Sequence, residues 1–366
     1  MTFGRPCIIP EAYVKSDMPV QDLQIMGYND QPGSGFQLNA LFFTAAVYSS
    51  HRQLLMLDLA NECRKLYVIM YNVIDHSYGQ NLGFADNDED DGDQTNGAFD
   101  IISQVLESNR QLEDWILRVL PPLGLHVYQE PLSSEELNKI PASDEAVIRQ
   151  RFNIVLSLRY HNLRILLHRK FLERFLDYFG IDSHTGNNSV ASQEKKILRQ
   201  IGSGSVQKCV QSAMAIISTM HTISLSPAKW HRSILGAWNY SLYYSISFTV
   251  CSWHIIYIYT DSYIAFNAGL CIFAALLIIT KEPPPHAESS DDTSPILHSV
   301  ATSRPYLLMA ADALRHLDPG NLVIERCVDY LMQLEVALER ICKLSSHFPR
   351  GICTVIVLTL ISSFQK

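Results

Sequence analysis

Paired cysteines are missing from this 366-residue chain. Its eight cysteines are Cys7, Cys63, Cys209, Cys251, Cys271, Cys327, Cys342 and Cys353, and no two lie within four residues of each other. A zinc finger or zinc cluster needs C-x2-C-type ligand pairs, so none is encoded here. Charge is also scarce, at 18% Asp, Glu, Lys and Arg against about 25% in ordinary domains. The sign is wrong for a nucleic-acid grip: the net charge is −8, and no compact basic cluster longer than the stretch around Lys195–Arg199 occurs. The opening MTFGRPCIIPEA has no apolar run after a basic start, which argues against a secretory signal and for reduced thiols inside a cell.

Catalytic signatures are absent as well. The chain has no G-x-x-x-x-G-K-[ST], no G-x-G-x-x-G after a strand, no G-x-S-x-G and no H-E-x-x-H. The acidic run DNDEDDGD (86–93) invites a calcium-loop alignment with Asn87, Glu89, Asp91 and Gly92 at the ligand and glycine positions. Ala98 then stands where the bidentate Glu belongs, so a solvated loop is the better reading. A terpene-cyclase-like enzyme would need aspartates on helix faces around an apolar cavity. Here the acids fall in expected loops, at 86–93 and Asp291–Asp292. His161 and His168 share a helix face but lack an acidic or Cys partner one turn away, which favours structural histidines over metal ligands. No catalytic residue, bound cofactor or metal is expected in this chain.

What the chain does have is apolar residues, 47% of the total, recurring mostly at helical spacing. Leu59, Cys63, Leu66 and Met70 repeat within a helical stretch expected over 38–74. Ile102, Val105, Leu112, Trp115, Ile116 and Val119 mark a second over 98–120, stopped by Pro121 and Pro122, after which a polar linker runs to Ser143. The clearest helix covers about 144–179, with Phe152, Leu156, Tyr160, Leu163, Leu167, Phe171 and Phe175 on one stripe. Further helices are expected at 205–223, 305–317 and 321–346. No segment alternates with period two, so the expected class is all-α, an irregular multi-helix domain with long polar loops at 75–97, 183–204 and 281–303.

Between Ser233 and Thr280 the only formal charge is Asp261. Leu242–Thr260 and Ser262–Thr280 are each long enough to cross a bilayer, which keeps a multipass membrane protein as an alternative. The first of these carries His254 and many Ser, Tyr and Thr, and is a poor span.

Several blocks, in order, resemble the fungal-specific transcription factor domain, the middle homology region found with binuclear zinc clusters. FGRPCIIPEAYVKSDMPV (3–20) is similar to the Gly-Arg-Pro segment, through Gly4, Arg5, Pro6, Ile8 and Pro19. Leu112, Trp115, Leu120 and Pro121 match a Leu…Trp…Leu-Pro element. LSLRYHNLRILLHRKFL (156–172) is the most specific block, carrying Arg159, Tyr160, His161, Leu167, His168 and Arg169, with Lys170 where Pro is common. Cys209 and Ala213 match a Cys-x-x-x-Ala helix, and ILGAWNYSLYY (234–244) matches a late block through Gly236, Trp238, Tyr243 and Tyr244. Ala311, Leu314, Leu317, Asp318, Cys327 and Leu331 fit the closing helices.

The resemblance implies a partial regulatory domain over 1–346 and an apolar C-terminal tail of unknown role over 347–366. It implies a nuclear regulator, otherwise cytoplasmic, acting through a related regulator, a coregulator or a small-molecule effector. Zinc is then expected only in the N-terminal cluster of full-length relatives, and specific DNA binding by this chain alone is not expected. In the family the Gly-Arg-Pro block sits midway through the domain, whereas here it begins near residue 3, which implies truncation. About twenty residues, 245–264, separate two family blocks and read as an insertion.

Overall fold

The computed structural model describes residues 58–59, 61–74, 96–119, 125–141, 143–180, 202–227, 254–281, 300–317 and 319–345. Among the described residues there are eight helices and no strand, as the 3.6-residue periodicity requires. They are α1 (58–59 with 61–74), α2 (Asn96–Arg118), α3 (Ser134–Asn138), α4 (Asp144–Gly180), α5 (Ser203–Ser224), α6 (His254–Lys281), α7 (Pro305–Leu317) and α8 (Leu322–Ser345).

α4 is the spine. It runs 37 residues, about 55 Å at 1.5 Å per residue. Ser143 caps its start, accepting the Ala146 N–H on its hydroxyl at 3.4 Å. The expected stripe of Phe152, Leu156, Tyr160, Leu163, Leu167 and Phe171 is buried in one apolar cluster with α1 and α2. A second face, formed by Ile154, Leu158, Ile165, Leu172 and Phe175, is buried in a larger cluster with α5 to α8. Phe175 therefore belongs to that second cluster and not to the single stripe its spacing suggests. A helix apolar on both sides is covered on both sides.

The larger cluster is built by close approach of small residues. Ala213, Ala265, Ala268, Ala275, Ala310, Ala311 and Ala313 are wholly buried. Gly269 on α6 lies so near α8 that a Cβ there would stand 2.8 Å from Leu331 Cδ2. α7 and α8 form a hairpin whose turn uses Gly320 at φ 88°, a conformation costly for any residue with a Cβ. Arg304 and Glu335 brace the hairpin with a 2.7 Å ion pair.

Several expectations change in detail. The stretch after Pro122 is not only a linker, because it contains α3. The ends of the three expected polar loops are helical: Asn96 and Gly97 lie in α2, Ser203 and Gly204 in α5, and Lys281 in α6. The two adjacent spans of the membrane alternative meet at Asp261, yet α6 passes through Asp261 without a break. From Ile264 onward its apolar side chains pack against α4, α5, α7 and α8. Among the described residues no helix is long and apolar enough to cross a membrane. Of the expected insertion, 254–264 are the first turns of α6, and 245–253 lie outside the described residues. So do residues 38–57 of the first expected helix, the acidic run 86–93, Asp291–Asp292 and the tail from 347 onward.

Candidate functional site

The block 156–172 sits at the middle of α4, where both apolar clusters meet. Between its two apolar faces runs a polar row, Gln150, Asn153, Ser157 and His161, spaced three or four residues apart so that they share one side. All four are buried. Their partner is an extended strap, residues 125–133, that lies along the helix.

The contacts form a ladder. Asn153 Oδ1 accepts the His126 N–H at 2.9 Å, and Asn153 Nδ2 lies 3.0 Å from His126 Nδ1. Ser157 Oγ accepts the Tyr128 N–H at 2.7 Å and donates to the Asn153 carbonyl at 2.6 Å. His161 Nε2 donates to the Tyr128 carbonyl at 2.9 Å. Gln150 meets the Tyr128 hydroxyl at 2.8 Å. Leu132 N–H donates to Thr219 Oγ1 of α5 at 3.4 Å, and Leu125 and Leu132 anchor the two ends in the core. A strap without strand neighbours must satisfy its backbone somewhere, and here side chains of α4 and α5 do so. α3 follows, started by a reciprocal capping box in which Ser133 and Glu136 bond each other's backbone N–H.

His168 ties α4 to other helices in the same way. Its Nδ1 lies 3.2 Å from Ser205 Oγ of α5 and its Nε2 3.2 Å from Asn109 Oδ1 of α2. Asn109 gives its amide to Glu113, so its oxygen is the acceptor and the His168 Nε2–H the donor. Burial lowers His161 to about 4 and His168 to about 3, the latter helped by the nearby Lys208 and Arg164 cations. Both rings are therefore neutral at pH 7. The Nδ1 of His161 is then a bare buried acceptor without a hydrogen-bond partner.

The remaining matched residues knit α1, α2 and α4 together. Tyr160 stacks on Trp115 with ring centroids 6.3 Å apart, and Trp115 Nε1 donates to Glu62 Oε2 at 2.9 Å. Arg159 lies 4.9 Å above the Tyr67 ring. Arg169 pairs with Glu173 at 3.6 Å, and Leu167 is buried. Trp115, Arg159, Tyr160, His161, Leu167, His168 and Arg169 thus converge on one region of the molecule. Gly4, Arg5, Pro6, Gly236, Trp238, Tyr243 and Tyr244 lie outside the described residues.

Chemically this arrangement holds segments in place. Cys63 and Cys209 are buried, and burial raises the Cys63 thiol, the opposite of what a reactive thiolate needs. Among the described residues no group of three His, Cys, Asp or Glu could hold a metal ion. Beside the strap lies an open cleft of about 580 Å³, walled by Tyr128, Glu130, Pro131, Glu135, Glu136 and Lys139 among others. Small-molecule pockets are mostly apolar, and these walls are mostly polar and charged. No expectation from the sequence covers the strap, its polar row or α3; the Ser133-x-x-Glu136 spacing is the one local signal that could have marked the capping box that follows them.

Comparison with known proteins returns two fungal transcription factors. Transcription factor FBD3 of Fusarium pseudograminearum (strain CS3096) is 24% identical over 296 residues, which are 80% of this chain and 31% of that protein. Transcription factor FBD3 of Gibberella moniliformis (strain M3125 / FGSC 7600) is 23% identical over 271 residues, 74% of this chain and 29% of that protein. The chain therefore spans less than a third of the length of these relatives. No family model matches the chain, and no solved structure does.

Proposed function

We infer that this chain is a transcriptional regulator, corresponding to the helical middle homology region of a fungal zinc-cluster transcription factor, and that it works through protein contacts in the nucleus and not as an enzyme. The observation that carries this is similarity to a transcription factor over 80% of the chain. The structure supports it through an all-helical core in which the residues of the most specific block are structural: they join α1, α2, α4, α5 and the strap. No pair of zinc-ligand cysteines occurs in the 366 residues, so the proposal assigns zinc-dependent DNA contact to none of them. The net charge of −8 points the same way.

The purified chain is therefore expected to show no sequence-dependent DNA binding at physiological salt. Fluorescence anisotropy against a random duplex pool and promoter fragments tests this directly. Selection of one duplex with sub-micromolar affinity, weakening steeply with salt, would place a DNA reader inside the chain and sink the proposal.

A further inference from the structure

One side of α2 carries a ridge of exposed side chains that no other described element covers. Leu106, Arg110, Glu113 and Leu117 follow one another at spacings of four, three and four, which puts them in a line along the helix. Leu106 is 60% exposed and Leu117 70%. The Arg110 and Glu113 side chains between them are 63% and 59% exposed. The far side of the same helix is spent on the core, through Val105, Leu112 and Trp115, and the ridge ends one turn before Leu106, where Ile102 on the same line is buried.

The order of the four residues is self-complementary. A two-fold axis through the midpoint between Gln111 and Leu112 sets Leu106 opposite Leu117 of a second copy, and Arg110 opposite its Glu113. Every member of the ridge then finds an apolar or oppositely charged partner, and each contact occurs twice, as an isologous interface demands. A parallel arrangement would instead set Arg110 on Arg110 and Glu113 on Glu113. We propose that the α2 ridge is a self-association surface, and that its occupant is α2 of a second copy of this chain, running antiparallel. This proposal does not depend on the transcriptional role.

Leu106 and Leu117 lie eleven residues apart, about 17 Å along the axis. Such a seam is short against the roughly 800 Å² per partner of a stable interface, so the dimer is weak and reversible, in the micromolar range. Within one copy Arg110 bonds Glu107 at 2.7 Å and Asp114 at 3.1 Å, while Glu113 accepts the Asn109 amide at 2.7 Å and lies 3.8 Å from the half-buried Lys208. The ion pairs are screened by solvent and weakly held, so both side chains remain able to reach across a new interface.

Sedimentation equilibrium of the full chain over a concentration series is the test. A monomer–dimer equilibrium is expected, and Arg110→Glu or Glu113→Arg alone should each weaken it about tenfold or more by setting like charges face to face. Mixing the two single variants should restore association, because one chain then presents carboxylates at both ridge positions and the other presents guanidinium groups at both. All four positions are exposed, and an unchanged helical circular dichroism spectrum would show that the variants fold. Orientation is read in a background with Cys7, Cys251, Cys327, Cys342 and Cys353 replaced by Ser: Leu106→Cys chains mixed with Leu117→Cys chains should form a disulfide dimer under mild oxidation, and Leu106→Cys alone should not. A strictly monomeric chain, a dimer indifferent to both charge reversals, or ready cross-linking of Leu106→Cys to itself would each overturn the proposal.

Discussion

His161 and His168 illustrate what a single buried side chain can impose. Both are nearly inaccessible, at 3% and 2% exposure, and each spends its Nε2–H on an acceptor from another segment. An unfolded chain takes up a proton on each ring near pH 6.5, whereas the folded chain does so only near 4 and 3. The unfolded state therefore binds more protons throughout that window, and stability falls as pH falls. Each ring should withdraw up to about 1.4 kcal/mol per pH unit below 6.5. Urea unfolding at stepped pH values from 7.5 to 5 should show the midpoint dropping steadily. Replacing His168 by Gln, which keeps a donor and an acceptor without titrating, should remove roughly half of that slope. A midpoint indifferent to pH over this range would mean that the two rings are solvated, against the packing described. The sequence showed the pair and their shared face, and favoured structural histidines. It could not show the strap carbonyl of Tyr128 or the Asn109 amide, because both partners come from distant residues.

Among the elements, α4 is the most legible, yet only one of its two buried faces shows in its spacing. Its period exposed the stripe from Phe152 to Phe171, and that stripe packs on α1 and α2 as its spacing required. The second face is hidden in the sequence because Arg164 and Arg169 flank it, and a charged side chain can leave a buried stem while its head reaches solvent. Leu163 is 2% exposed at the heart of the first cluster. Leu163→Ala should cost about 2–5 kcal/mol, the range for a buried Leu whose cavity does not collapse, read from denaturant unfolding. A cost under about 0.5 kcal/mol, typical of surface positions, would contradict the packing. α3 and the strap were illegible for a different reason. Five helical residues give too few turns for a period, and an extended segment satisfied by side chains 22 to 87 residues away has no local signature.

At the scale of the whole molecule, helical content and order followed from the apolar period, while the apolar stretch before Thr280 admitted two architectures. Packing separates them: Gly269 and the alanines of α6 let α7 and α8 approach closely, so the apolar face of α6 meets protein. The functional reading rests on similarity to transcription factors and on a core whose most specific block is structural, which leaves the outer surfaces to carry regulation. The most direct measurement tethers the full chain to an unrelated DNA-binding domain and records a reporter bearing that domain's sites. A regulator acting through protein contacts should change transcription several-fold in one direction, with the effect lost when Leu163→Asp unfolds the core and the fusion remains nuclear. A well-folded, nuclear fusion that leaves the reporter at the level of the DNA-binding domain alone would contradict the account.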